Sequence, residues 1–289
     1  MKWQRPALVC VLGVLAMQWA SGVHARAQAI RHDTGQNVAP AFEGWEQNSD
    51  GSYNFVFGYL NRNYEEKVDI PIGPNNFFDQ GPQDRGQPTH FYTRRQRFVF
   101  RVVAPKDWDK TRKLVWTVIS RGHTDQAKAW LQPEWELNPG VISENSGGGV
   151  LDPANKPPSL TGPATATVTL PNVLPLTASA TDDGMPKQRP RRPATDPAAA
   201  AAAAAAANPD APIRRTEGLR IRWIQYRGPG KVTFDPENSP GEYGKPVEHT
   251  TKVSFGDPGT YVVRAIASDG QLEATHDTTV TVTAGRAGR

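Results

Sequence analysis

The chain reads as an all-β protein of two β-sandwich domains, the second of them immunoglobulin-like. The clearest observation is Gly259 to Val282, where Tyr261, Val263, Ala265 and Ala267 alternate with Val262, Arg264, Ile266 and Ser268. A Ser268-Asp269-Gly270 turn follows, and then Thr278, Val280 and Val282 alternate with Thr279 and Thr281. Period-two patterning in β-branched residues around a Gly-containing turn predicts a half-buried hairpin. Shorter segments of the same pattern recur along the chain between Gly-, Pro- and Asn-rich breaks. No segment of residues 41–138 sustains a 3.6-residue period, so no long amphipathic helix competes with the strands.

The first 29 residues are read apart from the fold. Lys2 and Arg5 precede a mostly apolar run from Leu8 to Ala20, and small residues with Ala25-Arg26-Ala27 and Ala27-Gln28-Ala29 follow. That order predicts a secretory signal peptide, cut after Ala27 or Ala29. The run is short for a membrane span, and no later run approaches that length, so no transmembrane segment is expected after cleavage. The single cysteine, Cys10, lies inside the signal. The mature chain is then without disulfides, thiolate metal sites or a cysteine nucleophile, and core burial alone must hold it. Secreted or periplasmic placement is expected, with attachment to the cell surface an open alternative.

Residues 30–40 read as a short disordered lead and 41–138 as the first domain. Its strands are expected at Tyr53–Tyr59, Val68–Ile70, Arg97–Val102 and Leu114–Ile119, with a turn at Arg121–Thr124 leading to a partner near Ala127–Leu131. Gly73 to Arg95, rich in breakers, is expected to be a surface excursion of the kind that carries binding. Residues 139–157, rich in Gly, Pro, Asn and Ser, read as a linker. In the second domain, residues 158–284, strands are expected at Thr165–Leu170, Leu174–Ala180, Leu219–Tyr226, Lys231–Phe234, Glu248–Phe255, Thr260–Ser268 and Ala274–Thr283. Seven short strands are the number of an immunoglobulin-like sandwich, and Leu219, Ile221 and Trp223, alternating with Arg220 and Arg222, put Trp223 in its core.

A long insertion, residues 185–217, interrupts the second domain and holds ten consecutive alanines from Ala198 to Ala207. Ten residues are too few for a stable isolated helix, and the Pro- and Arg-rich flanks predict disorder. From Met185 to Arg222 eight basic residues face three acidic ones, whereas the whole chain carries only +4. For an exported protein this basic stretch points to acidic polysaccharide, lipid headgroups or plain solvation, and nucleic acid is the disfavoured partner.

The segments LTASATDDGMP at 176–186, RWIQYRGPGKVTFDP at 222–236 and TTKVSFGDPGTYVVRAIASDGQLEATHDTTVTV at 250–282 resemble a PKD-type, cadherin-like immunoglobulin module of secreted bacterial proteins. The resemblance covers nearly all of residues 158–284, and the long insertion departs from it. It implies a spacer or interaction domain and no catalysis. In the first domain, GYLNRNYEEKVDIPIGPNNFF and WLQPEWEL resemble a segment of exported bacterial proteins of unknown function, which implies no activity.

Candidate sites are few. Tyr59, Asn61, Arg62, Asn63, Tyr64 and Glu65 form the densest polar–aromatic run and suit a sugar by stacking and hydrogen bonding; the alternative is a strand end whose Asn side chains satisfy backbone groups. Asp182, Asp183 and Asp269 stand in turns that, at one end of the sandwich, offer carboxylates to Ca²⁺; the alternative is that Asp and Gly simply make turns. Ca²⁺ is the only cofactor the residues suggest. Trp45, Trp108, Trp130 and Trp135 suit either an aromatic platform or packing. Glu65, Glu66, Glu134 and Glu136 are carboxylates of the type glycosidases pair, and His90, His123 and Asp84 are a metal-ligand type without ligand spacing. No GxSxG, HExxH or phosphate-loop motif is present. The leading expectation is an exported, non-enzymatic interaction or spacer protein of the cell envelope, meeting another protein or a glycan. Carbohydrate binding through the first domain is the alternative, and hydrolysis there the second.

Overall fold

A computed structural model describes residues 31–187 and 218–285. The proposed signal peptide and most of the expected insertion therefore lie outside the described residues. Within them the protein is all-β, with two cores and two sandwiches.

The first sandwich begins with β1 (Val38–Gln47), β2 (Tyr53–Asn61) and β6 (Arg94–Ala104), paired in the order β1-β2-β6. Facing them are β4 (Asn76–Phe78), β7 (Leu114–Ser120) and β8 (His123–Ala129), in the order β4-β7-β8. A two-stranded ladder joins β3 (Val68–Asp69) to β5 (His90–Phe91). Phe55, Phe57, Phe78, Phe91, Phe100 and Trp116 interlock between the layers, for example with Phe57 stacked on Phe100 and edge-on to Trp116. Edge-to-face and offset packing of this kind adds to simple burial.

Three expectations are corrected here. Residues 38–40 belong to β1, whose Pro40 is tolerated because β1 is an edge strand. The preceding residues are ordered too: His32 and Asp33 carbonyls accept from Tyr64 and Glu65 amides. The excursion at 73–95 is not superficial, because Phe78 and Phe91 enter the core and Gln87 is fully buried. The residues read as a linker hold a short helix, α1 (Pro139–Ser146). Asn138 caps its start by accepting from the Val141 amide, Pro139 occupies the first turn, and Gly147 closes it at φ +87°.

The second sandwich has β9 (Ser159–Thr161), β11 (Leu174–Thr181), β14 (Val247–Phe255) and β13 (Val232–Asp235), in the order β13-β14-β11-β9. Opposite lie β10 (Thr165–Thr169), β16 (Glu273–Thr283), β15 (Gly259–Ser268) and β12 (Arg220–Arg227), in the order β10-β16-β15-β12. This is the strand order of an immunoglobulin-like sandwich, with its first strand divided between the sheets and β10 running parallel to β16. All seven expected strands are present, and β9 is an addition. Trp223 is fully buried, as its alternation requires, among Ile221, Tyr261, Val263 and Ala265.

Gly228 shows how tightly this core closes. It sits at φ +150°, and a Cβ there would lie 2.0 Å from the ring of buried Tyr261. Gly228→Ala is expected to lose about 3 kcal/mol in denaturant melts, from overpacking and backbone strain together. Gly122, at φ +76° in open space, is expected to lose about 1 kcal/mol on the same change.

Candidate functional site

A cavity of about 360 Å³ lies between the two sandwiches. Its floor is the outward face of the β12-β15-β16 sheet. On β12 the residues that alternate with buried Ile221, Trp223 and Gln225 are Arg222, Ile224 and Tyr226. Register places Arg222 beside Ile266 and Ile224 beside Arg264 on β15. It then places Ile266 beside Thr275, Arg264 beside Asp277 and Ser268 beside Glu273 on β16. An outward sheet face normally meets water; here the first sandwich covers it, leaving Arg222 and Tyr226 buried.

The roof comes from β6, the Tyr92 segment and α1. Between Phe57 and Tyr59 of β2 the register with β6 shifts, so that residues 97–99 bulge out of the ladder. Gly58 permits this, since a Cβ there would collide with Gln96 O and Glu43 Oε1. Phe98 takes φ +52°, an outlier for a bulky side chain, and the bulge turns Phe98 and Val99 toward the floor. Bulges and strained residues of this kind concentrate at functional sites.

Hydrogen bonds and charges close the seam. Tyr92 Oη accepts from the Gln225 amide at 2.9 Å, and the Thr89 amide donates to Tyr226 O at 3.2 Å. The Tyr226 hydroxyl donates to Gly86 O, and burial pushes its pKa up to about 12. Arg227 grips Asp84 with two bonds of 2.8 and 2.9 Å and donates to Gln87 O at 2.8 Å. Arg264 lies 3.7 Å over the Tyr226 ring, donates twice to Asp277 and once to Val99 O across the seam. Burial works against its charge, but the Asp277 hydrogen bonds hold its pKa above the ordinary value. Further pairs along the wall are Arg101–Glu46 at 2.8 Å and Arg222–Glu237 at 3.1 Å.

Of the run expected to bind sugar, only Tyr59 lines the cavity. The Tyr59 Oη accepts from the Tyr92 amide at 2.9 Å. Asn61 and Asn63 are fully buried and their amides are taken up by the chain: Asn61 donates to Glu66 O and Phe91 O, and Asn63 donates to Gln36 O and accepts from the Gln36 amide. Arg62, Tyr64 and Glu65 are exposed, and the Tyr64 ring carries the Arg94 guanidinium at 3.9 Å. The run is thus a strand end whose asparagines satisfy backbone groups, with three exposed side chains beside it.

Asp182, Asp183 and Asp269 do come together. Burial pushes the Asp182 and Asp269 carboxyls up, and Asp183 adds its charge to both. Asp183 is committed to the Lys156 and Met185 amides. Among the described residues Asp182 and Asp269 each keep one buried oxygen without a hydrogen-bond partner, as does Asn155, which faces Asp269. Sequence reading missed Asn155, because it stands in the segment read as linker. Among the described residues no three Asp, Glu, His or Cys are grouped closely enough to hold an ion, so Asn155 is needed to complete any donor set.

The other candidates are dispersed. His90 lines the cavity and its Nδ1 meets Asp69 Oδ1 at 2.7 Å; His123 is exposed, and Asp84 belongs to Arg227. Glu66 pairs with Arg121 and Gly35, Glu134 lies in the turn Pro133–Trp135 with Glu136 next to it, and none of these carboxylates, nor Glu65, lines the cavity. Trp108 is core, Trp45 donates to Gln132 O, and Trp135, 40 % exposed, stacks on Phe42 at 5.3 Å with Trp130 alongside. The floor arginines and tyrosines were missed as site residues. Their signal was present in Ile224, Tyr226 and Ile266, apolar residues on faces that a free sandwich would wet.

No protein-family model matches the chain, and no curated protein matches it. Among solved structures it is similar to the fibronectin(III)-like modules of CbhA from Clostridium thermocellum, at 11 % identity over 88 % of this chain and 97 % of that one, TM-score 0.24. It is also similar to domains 4 and 5 of the S-layer protein SbsC, at 8 % identity over 86 % and 98 %, TM-score 0.25. Titin domains Z1Z2 in complex with telethonin share 9 % identity over 86 % and 98 %, TM-score 0.22. At these scores the likeness carries no functional argument, and the immunoglobulin-like character stands on the strand order given above.

The seam has an acid limit. The Arg227 hydrogen bonds hold the Asp84 carboxyl below its ordinary value of 3.8. A depressed carboxyl stabilises the fold above its unfolded value, and that contribution is lost as pH falls through the folded one. Asp84→Asn is therefore expected to lower stability at pH 7 and to converge on the wild type only as pH falls below 3.8 and through the depressed folded value. Urea melts of both proteins at several pH values measure this directly.

Proposed function

We propose that this protein is an exported, non-enzymatic interaction protein of the cell envelope whose two sandwiches work as one stiff unit. The observation that carries this reading is the seam: Tyr92, Asp84 and Val99 of the first sandwich are bonded to Gln225, Arg227 and Arg264 of the second. A spacer with independent modules needs no such ties, whereas a unit presenting a fixed surface does. Support for export is the charged, apolar and small-residue order of the first 29 residues. Among the described residues no helix is long and apolar enough to cross a membrane. The second sandwich is read as a PKD-type module on the motifs of residues 176–282, and the partner as an envelope protein or a glycan.

The stiff-unit reading is tested by thermal unfolding. The wild type is expected to melt in one calorimetric transition, and the Arg227→Ala, Arg264→Ala double variant in two, as the sandwiches uncouple. Two transitions in the wild type would sink the reading.

A second reading adds Ca²⁺ at the turns of the second sandwich that carry Asp182 and Asp269. It is favoured by three buried oxygens of Asn155, Asp182 and Asp269 that have no hydrogen-bond partner among the described residues, since hard oxygen donors are what this ion takes. Ca²⁺ bound there would also offset the mutual repulsion of the carboxylates. Millimolar Ca²⁺ is expected to raise the melting temperature of the wild type and leave Asp269→Asn unmoved. An unchanged wild-type melt rejects this reading.

A further inference from the structure

We propose that the cavity between the sandwiches binds a small organic cation, a molecule with one ammonium group on an apolar body, through the carboxylate of Glu273. This rests on the seam being closed, because the floor and the roof belong to different sandwiches.

The argument begins with the charges in the wall. Four arginines line it, and each already faces an acid: Arg97 with Glu43 at 3.8 Å, Arg101 with Glu46, Arg222 with Glu237, and Arg264 with Asp277. An anionic ligand would have to break one of these pairs to gain a counter-charge. Glu273 is different. It lines the same cavity, yet among the described residues its carboxylate makes no hydrogen bond and no ion pair. Glu43 also holds Arg95, at 2.7 Å, so the wall as a whole is close to neutral, and Glu273 is its acid without an ion pair among the described residues.

The surroundings of Glu273 favour a cation over water. Burial pushes its carboxyl above the ordinary value, although Arg222 and Arg101 pull it down. The residue is at the same time accessible to solvent. It lines the cavity, where a ligand can reach it. A carboxylate held in such a place gains more from a charge-assisted donor than one in bulk water does. The rest of the wall suits an apolar body: Ile224, Ile266, Leu272, Ile142 and Phe98 offer surface, and about 360 Å³ is at the lower end for a small-molecule site. Among the described residues Glu273 is the charged group of the wall without an ion pair, and an anchor of that kind fixes a ligand's orientation.

Three probes sharing one indole body and differing only in the head group test this on the mature chain: tryptamine, tryptophol and indole-3-acetate. Calorimetric titration is expected to show saturable tryptamine binding, tryptophol at least about ten-fold weaker, and no binding of indole-3-acetate. Glu273→Gln is expected to weaken tryptamine by about ten-fold or more while leaving tryptophol unchanged. Glu273→Asp, which keeps the charge, is expected to recover part of the loss. The Gln variant removes a carboxylate that has no hydrogen bond or ion pair among the described residues, so its melting temperature is expected to match or exceed that of the wild type, which separates loss of binding from loss of fold. The proposal is overturned if tryptamine binds equally well to Glu273→Gln, if indole-3-acetate binds as tightly as tryptamine, or if none binds at millimolar concentration. In that last case a single wild-type melting transition leaves the stiff-unit reading standing and removes this one alone. Two transitions remove both.

Discussion

Arg264 is the residue on which the arrangement of the two sandwiches turns. Its guanidinium lies flat on Tyr226, is held from one side by both oxygens of Asp277, and reaches across the seam to Val99 O. A guanidinium has five donors in a fixed plane, so one side chain can stack, pair and cross a boundary at once. A lysine in its place would offer a point charge without the plane. Burying such a group is costly unless it is paired and hydrogen-bonded, and all three contacts are needed to offset that cost. Asp277 lies directly opposite in the β15–β16 register, so the pair is built into the ladder. The carbonyl it reaches, Val99 O, is free to accept only because residues 97–99 have left the β2–β6 ladder. The bulge, the strained Phe98 and the seam are consequences of one another.

How legible each sandwich was in the sequence follows from how its residues alternate. In the second, most strands have one dry and one wet-looking face, and the pattern reads through: β14 alternates buried and exposed along its whole length. The first sandwich hides more. β1 reads VAPAFEGWEQ, in which Pro40 and Gly44 break the pattern, and its membership is decided by pairing with β2 instead of by its own alternation. β4 and β5 are only three and two residues long, too short for any periodicity to show. Their aromatic residues, Phe78 and Phe91, are the part of the signal that remained.

The site was less legible than the fold, for a related reason. Alternation assigns a residue to a face but does not say what covers that face. Arg222, Arg264 and Glu273 fall on the outward side of their strands, where charge is ordinary, and the second sandwich alone would leave them in water. Only the first sandwich, brought across by residues 86–92 and the β6 bulge, turns that face into a cavity floor. Tyr92 illustrates the point. In sequence it is one aromatic residue in a stretch of breakers; in the structure its hydroxyl receives the Gln225 amide and its own amide donates to Tyr59.

The run from Tyr59 to Glu65 argues the same lesson from the other direction. Its density of polar and aromatic side chains resembles a binding surface, yet Asn61 and Asn63 are the least exposed residues in it. The segment leaves β2 and must satisfy its own backbone and that of residues 36 and 91 without a ladder partner. Buried polar backbone demands partners, and short amide side chains meet that demand within two residues of where they arise. A polar cluster at a strand end is therefore first an answer to the backbone. The carboxylate that has no hydrogen bond or ion pair among the described residues, Glu273, stands on β16, where the sequence shows only one more outward acid in an alternating strand.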